Sequence, residues 1–499
     1  MNSHDPKTAP HAAAERQRSL RLSFVRGIAW TGAAKWSAQL LTWISTIVVA
    51  RFLSPEDYGL VQLALVFLGL VAMFNEFGIG AAVVTLRDLS REQLSHLNSL
   101  AVLLGAGSIL LCWLAAVPLG KFYGEADLSL AVAVLSTSFV VTSLRNVPQS
   151  LLQKELRFKL LGFIEGTQAL LQALGTAVLA ILGYGYWSLI AGRLIGTFCW
   201  TGLVLAFRRQ RFQKPQLAAV RPALNFSSHI FIAHLAWYAY SNSHFLLAGH
   251  LLGTSALGFY TLAWTLANIP TDKITALLVS VIPAYFSIWS EDLRELRKYF
   301  LKITEGIALV IFPFCWGTAL VAKTFVPLVL GKHWVHSIEP LQILPLYVSC
   351  YALATVLPHV LRVTGETRFF MLCDVFIAVA IQGAFWLGLS HGIRGLSITW
   401  VLSYPLLSLP LFWRVFRKLS VSPAAYFGAL APALGSGVVM VGTVLLCQRA
   451  LPTSASPALQ LTLQILTGVI SYALVLLLCF RTRLQSFLAL LREIKRQPI

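Results

Sequence analysis

The chain of 499 residues is 57% hydrophobic and only 12% charged, with a mean hydropathy of +0.73. Soluble domains carry roughly 25% charged residues, so a chain this poor in charge cannot cover its own surface in water, and lipid must solvate much of it. The net charge of +19 would suit a nucleic-acid binder, but the basic residues sit in alternate loops between apolar stretches. That excludes one continuous basic face and matches the loop bias of membrane proteins.

In chain order, residues 1–26 form a polar, basic N-terminus with no cleavable signal, so the first span is expected to serve as its own insertion signal. About 20 apolar residues cross a bilayer as a helix, the form in which a lone segment satisfies its own backbone in lipid. Such stretches lie at 27–50, 60–84, 98–120, 128–144, 162–182 and 187–207, an N-terminal lobe over 27–207. After a cytoplasmic linker at 208–225 come 226–250, 258–285, 300–322, 340–361, 371–389 and 395–413, a C-terminal lobe over 226–413. Two further spans, 428–448 and 459–480, lie within 428–480. The tail 481–499 places Leu484, Phe487, Leu488, Leu491 and Ile494 at helical spacing among Arg483, Arg492, Lys495 and Arg496, as an interfacial amphipathic helix does. The predicted architecture is an all-α polytopic membrane protein of about 14 transmembrane helices.

Counting Lys and Arg with both termini cytoplasmic puts thirty on the cytoplasmic side and six outside. Lys35, Arg193 and Lys273 lie inside spans and complete the 39. The asymmetry fixes the orientation. It also supports the span count, because one missed helix would invert every later loop. The outer loops are short, and no soluble domain is inserted, which excludes most enzymes built on a globular catalytic domain. The seven cysteines show no CxxC spacing and read as small packing residues. No GxxxxGK[ST] phosphate loop is present. No cofactor is expected beyond proton or sodium coupling.

The spans repeat. Ala50-Arg-Phe-Leu-Ser-Pro-Glu-Asp-Tyr-Gly59 lies over Gly249-His-Leu-Leu-Gly-Thr-Ser-Ala-Leu-Gly258 at an offset of 199. Gly185-Tyr-Trp-Ser-Leu189 lies over Gly392-Ile-Arg-Gly-Leu396 at 207, and Arg157-Phe158 over Arg368-Phe369 at 211. Six spans per copy is an even number, so both copies enter from the same side. The result is two six-helix lobes in parallel repeat plus two C-terminal helices, a known basis for alternating access.

The segments ARFLSPEDYGLVQLA (50–64), NEFGIGAAVV (75–84), LLQKELRFK (151–159) and GYGYWSL (183–189) resemble the polysaccharide-transporter branch of the multidrug/oligosaccharidyl-lipid/polysaccharide flippase superfamily, most closely its Wzx-type colanic-acid and teichuronic-acid exporters. The likeness is strong over roughly the first 210 residues and weaker to the end. It implies a multidrug-exporter-like fold in a bacterial inner membrane. It also implies translocation of undecaprenyl-pyrophosphate-linked oligosaccharide, with a polysaccharide polymerase and chain-length proteins as partners beside the membrane lipids.

A pyrophosphate head crossing a low-dielectric region would be met by cations facing a cavity, and Arg grips phosphate bidentately. Lys35, about 13 Å along its helix from Arg26, Arg193 and Lys273 are the substrate-binding candidates. Their bland readings are snorkelling to the cytoplasmic headgroups for Lys35, contact with the outer headgroups for Arg193, and pairing with a carboxylate of another helix for Lys273. Glu76 and Asp272 are ion-coupling candidates or, equally, partners in structural hydrogen bonds. The seventh span is the most polar, and His234, Tyr238 and Asn242 are expected to line a cavity. Its histidines 229, 234, 244 and 250 lack the i, i+4 spacing of a metal site. Two other functions compete with the flippase reading. A drug or metabolite antiporter of the same fold would want cavity carboxylates for cationic substrates. A polysaccharide polymerase, by family resemblance, would carry a larger outer loop than 323–339.

Overall fold

The computed structural model describes residues 42–76, 79–86, 89–215, 217–271, 286, 292–452, 455–481 and 483, with the side chains of 76, 85, 217–236 and 239 outside that description. All regular structure among them is helical. The helices are α1 (Thr42–Phe52), α2 (Pro55–Glu76), α3 (Ile79–Thr85), α4 (Arg91–Tyr123), α5 (Ala126–Ser136), α6 (Ser138–Lys154), α7 (Phe158–Ile181) and α8 (Tyr186–Phe207). They continue with α9 (Leu217–Pro270), α10 (Leu293–Phe325), α11 (Ile338–Ala354), α12 (Leu357–Val363), α13 (Thr367–Leu389), α14 (Gly392–Leu419), α15 (Pro423–Ala450) and α16 (Pro457–Cys479).

Every Ser-Pro dipeptide in the chain opens a helix. Proline at the first helical position lacks only an N–H that would be unpaired anyway, and the serine before it caps. Ser422 accepts from Ala425 N–H at 3.1 Å and Ser456 from Leu459 N–H at 3.3 Å. At Ser54 the cap is reciprocal: Asp57 N–H donates to the serine hydroxyl at 3.2 Å, and Ser54 N–H donates to the Asp57 carboxylate at 2.8 Å. The SPED segment is therefore a capping box in the sequence itself.

Twelve stretches among the described residues are long and apolar enough to cross a membrane. Thr42–Phe52 is the described part of the first expected span, and Tyr240–Pro270 holds the end of the seventh and the start of the eighth. Gly253 (φ 84°, ψ 172°) breaks α9 between those two, a conformation only glycine adopts cheaply. Several boundaries move: the second span, read as 60–84, runs over Pro55–Asn75, and the ninth, read as 300–322, over Leu293–Leu330. The fourth span, read as 128–144, runs over Ala126–Lys154. The chain stays αR at Thr137, and Pro148 sits inside α6 without ending it. The stop comes at Leu156, with φ 56°. Arg145 and Asn146 therefore lie within a span.

The surface is apolar, as lipid requires. Leu114, Leu387 and Leu478 are 69%, 73% and 78% exposed. The chain divides into two compact units, Met1–Leu53 with Ala64–Leu235, and Ser54–Leu63 with Ala236–Ile499. In lipid, helices associate through close packing and polar contacts rather than through the hydrophobic effect. In the first unit a Cβ on Gly192 of α8 would overlap the Thr176 hydroxyl of α7. In the second a Cβ on Gly388 of α13 would overlap the Thr399 hydroxyl of α14. The same Gly–Thr crossing recurs with its halves exchanged. Each unit also holds a matching ion pair, Glu155 with Arg208 at 3.0 Å and Glu366 with Arg414 at 2.8 Å. The last two helices dock on α10 through Tyr472 donating to Leu309 O at 2.9 Å and Gln448 donating to Leu320 O at 3.0 Å.

The repeated segments at offset 199 meet within the second unit. A Cβ on Gly59 would overlap the Thr254 carbonyl, and one on Gly258 would overlap the Pro55 carbonyl. Since 55 and 59 map onto 254 and 258, the contact is reciprocal. Tyr58 packs edge-on against the fully buried Trp334, centroids 5.2 Å apart.

Candidate substrate and ion sites

The first unit gathers polar groups around α6. Arg145 stacks its guanidinium 4.1 Å over the Trp200 ring of α8 and donates to Gln149 one turn on. The stack is a cation–π contact between two half-buried side chains. One turn earlier Asn75 of α2 donates to Phe139 O at 3.4 Å and to the Thr142 hydroxyl at 3.3 Å. Thr201 of α8 donates to Val141 O at 3.1 Å. Of this knot, Trp200 Nε1 and Asn75 Oδ1 are buried without a hydrogen-bond partner among the described residues, as is Asn146 Nδ2, next along α6. Unmade hydrogen bonds of buried atoms are costly, so a guanidinium stacked on an indole with an idle N–H is equipped for an anionic, hydroxyl-bearing ligand.

Arg145 and Asn146 were missed by the sequence reading, which ended the span one residue short and counted Arg145 as a loop cation. The sequence holds no helix-ending glycine from Ala126 to Leu156, and in the unbroken helix Arg145 stands about 13 Å inside Lys154 at 1.5 Å per residue.

Of the expected cations, Arg193 is described. It lies on α8 seven residues past Tyr186 and is exposed, while the neighbouring Gly192 packs on α7. Lys35, Asp272 and Lys273 lie outside the described residues. Glu76 closes α2 and His234 sits on α9, both with side chains outside the description. Tyr238 and Asn242 share one face of α9, half-buried, and the Asn242 amide donates to the Tyr238 carbonyl at 3.0 Å. Nearby on the same helix, Trp237 is 48% exposed and Trp264 is enclosed in an aromatic cluster. No group of three metal-ligating side chains occurs among the described residues.

Between helices, at the end of α12, Glu366 takes two guanidinium bonds from Arg414, at 2.8 and 3.2 Å, and an ammonium bond from Lys418 at 3.4 Å. The Arg414 hydrogen bond, aided by Lys418, holds its carboxyl below the usual carboxylate range. This group locks the loop before α13 to the last turns of α14.

A family described as a polysaccharide biosynthesis protein matches residues 48–339. The chain is 29% identical over 333 residues to the lipopolysaccharide biosynthesis protein WzxC of Escherichia coli, covering 65% of this chain and 67% of that one. It is 23% identical over 475 residues to the succinoglycan biosynthesis transport protein ExoT of Rhizobium meliloti, covering 94% and 96%. Among solved structures, the lipid II flippase MurJ in an inward closed conformation matches with a TM-score of 0.73 at 13% identity, over 91% of this chain and 99% of that one. An inward-facing multidrug resistance MATE transporter of the MOP superfamily matches with a TM-score of 0.61 at 15% identity, over 77% and 94%. At these identities the two structures speak for the fold alone.

Proposed function

The chain belongs to the polysaccharide biosynthesis protein family, and from that premise we propose that it is a transporter: a flippase carrying undecaprenyl-pyrophosphate-linked oligosaccharide repeat units from the inner to the outer leaflet of a bacterial inner membrane, for assembly of a surface polysaccharide. The observation that carries the reading is the family match over 48–339, joined to a lipid-solvated body of helices that shares its fold with a lipid flippase. The Arg145–Trp200 site with its idle indole donor adds chemical support, since a pyrophosphate offers oxygens to a guanidinium fork and a glycan offers hydroxyls to an indole N–H. Lys35, Arg193 and Lys273 are further cations for the anionic head. Glu76 and Asp272 are candidates for proton or sodium coupling, and His234, Tyr238 and Asn242 for the wall of the path. The Lys and Arg bias supports cytoplasmic termini. The parallel repeat supports alternating access between lobes. A polymerase and a chain-length protein would consume the delivered unit.

The test is a deletion strain with glycan synthesis switched on. Extracted lipids are quantified by mass spectrometry beside surface polymer. A defined lipid-linked repeat unit accumulates while surface polymer vanishes, and the mass names the sugar. Unchanged lipid intermediates and polymer with increased drug sensitivity would hand the function to the antiporter alternative.

A further inference from the structure

The start of α10 carries a dense run of positive charge. Arg294, Arg297, Lys298 and Lys302 fall at i, i+3, i+4 and i+8, so they share one helix face with Glu305. That face lines a cavity of about 630 Å³ in the second unit. Opposite stand the first turns of α15, through Ala424, Ala425, Gly428 and Ala429, and Arg483 joins them from beyond the end of α16. Five cations and one carboxylate thus line one space. Lys298 holds Glu295 at 3.1 Å, whereas Arg294, Arg297, Lys302 and Arg483 make no ion pair among the described residues. Like charges three and four residues apart destabilise a helix, so this run costs stability unless an anion lies among them.

Loop bias accounts for basic residues near a cytoplasmic helix end, but not for the rest of this cavity. Glu305, three residues past Lys302, is 7% exposed, and its Oε1 has no hydrogen-bond partner among the described residues. It lines the same cavity, with Arg483 and Lys302 in electrostatic reach. A buried, idle acceptor is costly unless a donor comes to it. Ser422 caps α15 by accepting from Ala425 N–H at 3.1 Å, so the positive end of the helix dipole stands at the cavity. The α15 wall carries no side chain larger than a methyl group, and a Cβ on Gly428 would meet nothing within 4 Å. The flanking Leu293 and Phe427 are 40% and 61% exposed, as lipid-facing side chains are. The volume lies within the roughly 300–1,000 Å³ of small-molecule sites, well beyond the need of a lone ion.

We propose that this cavity binds the head of an anionic phospholipid, a phosphodiester that bears a free hydroxyl, as phosphatidylglycerol does. The phosphate oxygens lie among Arg294, Arg297, Lys302 and Arg483 at the α15 N-terminus, and a head-group hydroxyl donates to Glu305 Oε1. The Lys and Arg bias makes the leaflet at this end the cytoplasmic one, and basic pockets between membrane helices on that side suit anionic heads. An amine-bearing head is disfavoured, because its ammonium would meet five cations. A lipid brings both the phosphate and apolar chains for Leu293 and Phe427, whereas a soluble phosphate brings only the first. The inference does not use the transported substrate, and it stands or falls separately from the flippase reading.

The purified full chain in detergent is titrated with one of four probes while its melting temperature is followed. The probes are phosphatidylglycerol, phosphatidylethanolamine, glycerol 3-phosphate, and phosphatidylmethanol, which keeps the phosphodiester charge without the hydroxyl. A ligand of the folded chain raises the melting temperature by mass action. Phosphatidylglycerol is expected to raise it to a plateau, while phosphatidylethanolamine and glycerol 3-phosphate leave it unchanged at the same concentrations. The half-saturating concentration rises about tenfold or more in the double variant Arg297→Gln with Lys302→Gln, which loses charged donors. It rises likewise in Gly428→Leu, which fills the wall and keeps every charge. Without lipid, Gly428→Leu melts at or above the wild-type temperature, since leucine is the better helix former, so its weaker binding is not a loss of fold. Wild type prefers phosphatidylglycerol to phosphatidylmethanol, and Glu305→Met binds the two alike. Equal stabilisation by phosphatidylethanolamine, or an unchanged half-saturating concentration in both the charge and the glycine variants, overturns the proposal. An equal effect of glycerol 3-phosphate also overturns it, by giving the site to a soluble phosphate. A preference for phosphatidylglycerol that survives Glu305→Met overturns the hydroxyl contact.

Discussion

The reciprocal glycine contact gives a prediction whose sign is unusual for a helix. Replacing a helical glycine by alanine ordinarily stabilises by about 0.5–1 kcal/mol, because alanine loses less backbone freedom on folding. At Gly59 the new Cβ would overlap the Thr254 carbonyl and stand 3.1 Å from Gly258 N. These are backbone atoms, so no side-chain end can swing aside and the two segments must separate. Overpacking of that kind costs about 1–3 kcal/mol, which exceeds the propensity gain, and Gly59→Ala is expected to lower the melting temperature. Gly202→Ala is the control: Gly202 lies inside α8 with nothing within 4 Å of its Cβ position, so the same substitution there raises it. Gly258→Ala meets the Pro55 carbonyl and behaves like Gly59→Ala. The double variant falls by less than the sum of the singles, because one separation relieves both overlaps. The assay is thermal unfolding of the purified chain in one detergent, at matched protein amounts. If Gly59→Ala is stabilised to the same degree as Gly202→Ala, the reciprocal contact does not exist as described.

Three other outcomes follow from the same geometry. Arg145→Ala removes charge-assisted hydrogen bonding of about 1.5–3 kcal/mol, so surface polymer in a complemented deletion strain drops by about tenfold or more at normal membrane insertion; undiminished polymer dismisses the site. Glu366 has a lowered carboxyl pKa in the folded chain. Its contribution is therefore present at and above the ordinary carboxylate range and disappears as pH falls through the lowered value. The melting difference between wild type and Glu366→Gln is accordingly clear at pH 7 and closes in acid, and a difference constant with pH contradicts the ion-pair account. Lys35→Ala and Lys273→Ala lower export through loss of cavity charge, and wild-type polymer in both at equal protein amounts removes that idea.

The helices were legible because lipid makes the sequence signal blunt. A span must be long, apolar and self-bonded, and the Ser-Pro starts announce themselves chemically. The repeat was legible in Gly59 and Gly258, since both copies need a glycine where a carbonyl crosses. Its counterpart at the Gly–Thr crossings was hidden. The glycine sits on α8 in one unit and on α13 in the other, and an alignment register compares like with like, so it does not see an exchange of roles.

Arg145 shows why a sound topological argument was blind to the site. Loop bias sums over some forty cations, and moving one of them across a boundary leaves the orientation unchanged. The same insensitivity that makes the rule dependable lets a cation 13 Å or so within a helix pass as a loop residue. What separates the two cases is backbone continuity, which depends on whether Asn146 and Pro148 end the helix. Proline inside a membrane helix is tolerated where neighbouring groups take up the freed carbonyl, and that is a tertiary fact. Glu305 escaped for a related reason. It lies a few residues into its expected span, where a carboxylate reaches water, whereas its surroundings come from Gly428 and Arg483, far along the chain. Ionisable groups in this fold take their meaning from partners on other helices. A single-helix reading therefore ranks them by depth alone, and depth favoured Lys35 and Lys273 over a cation already stacked on Trp200.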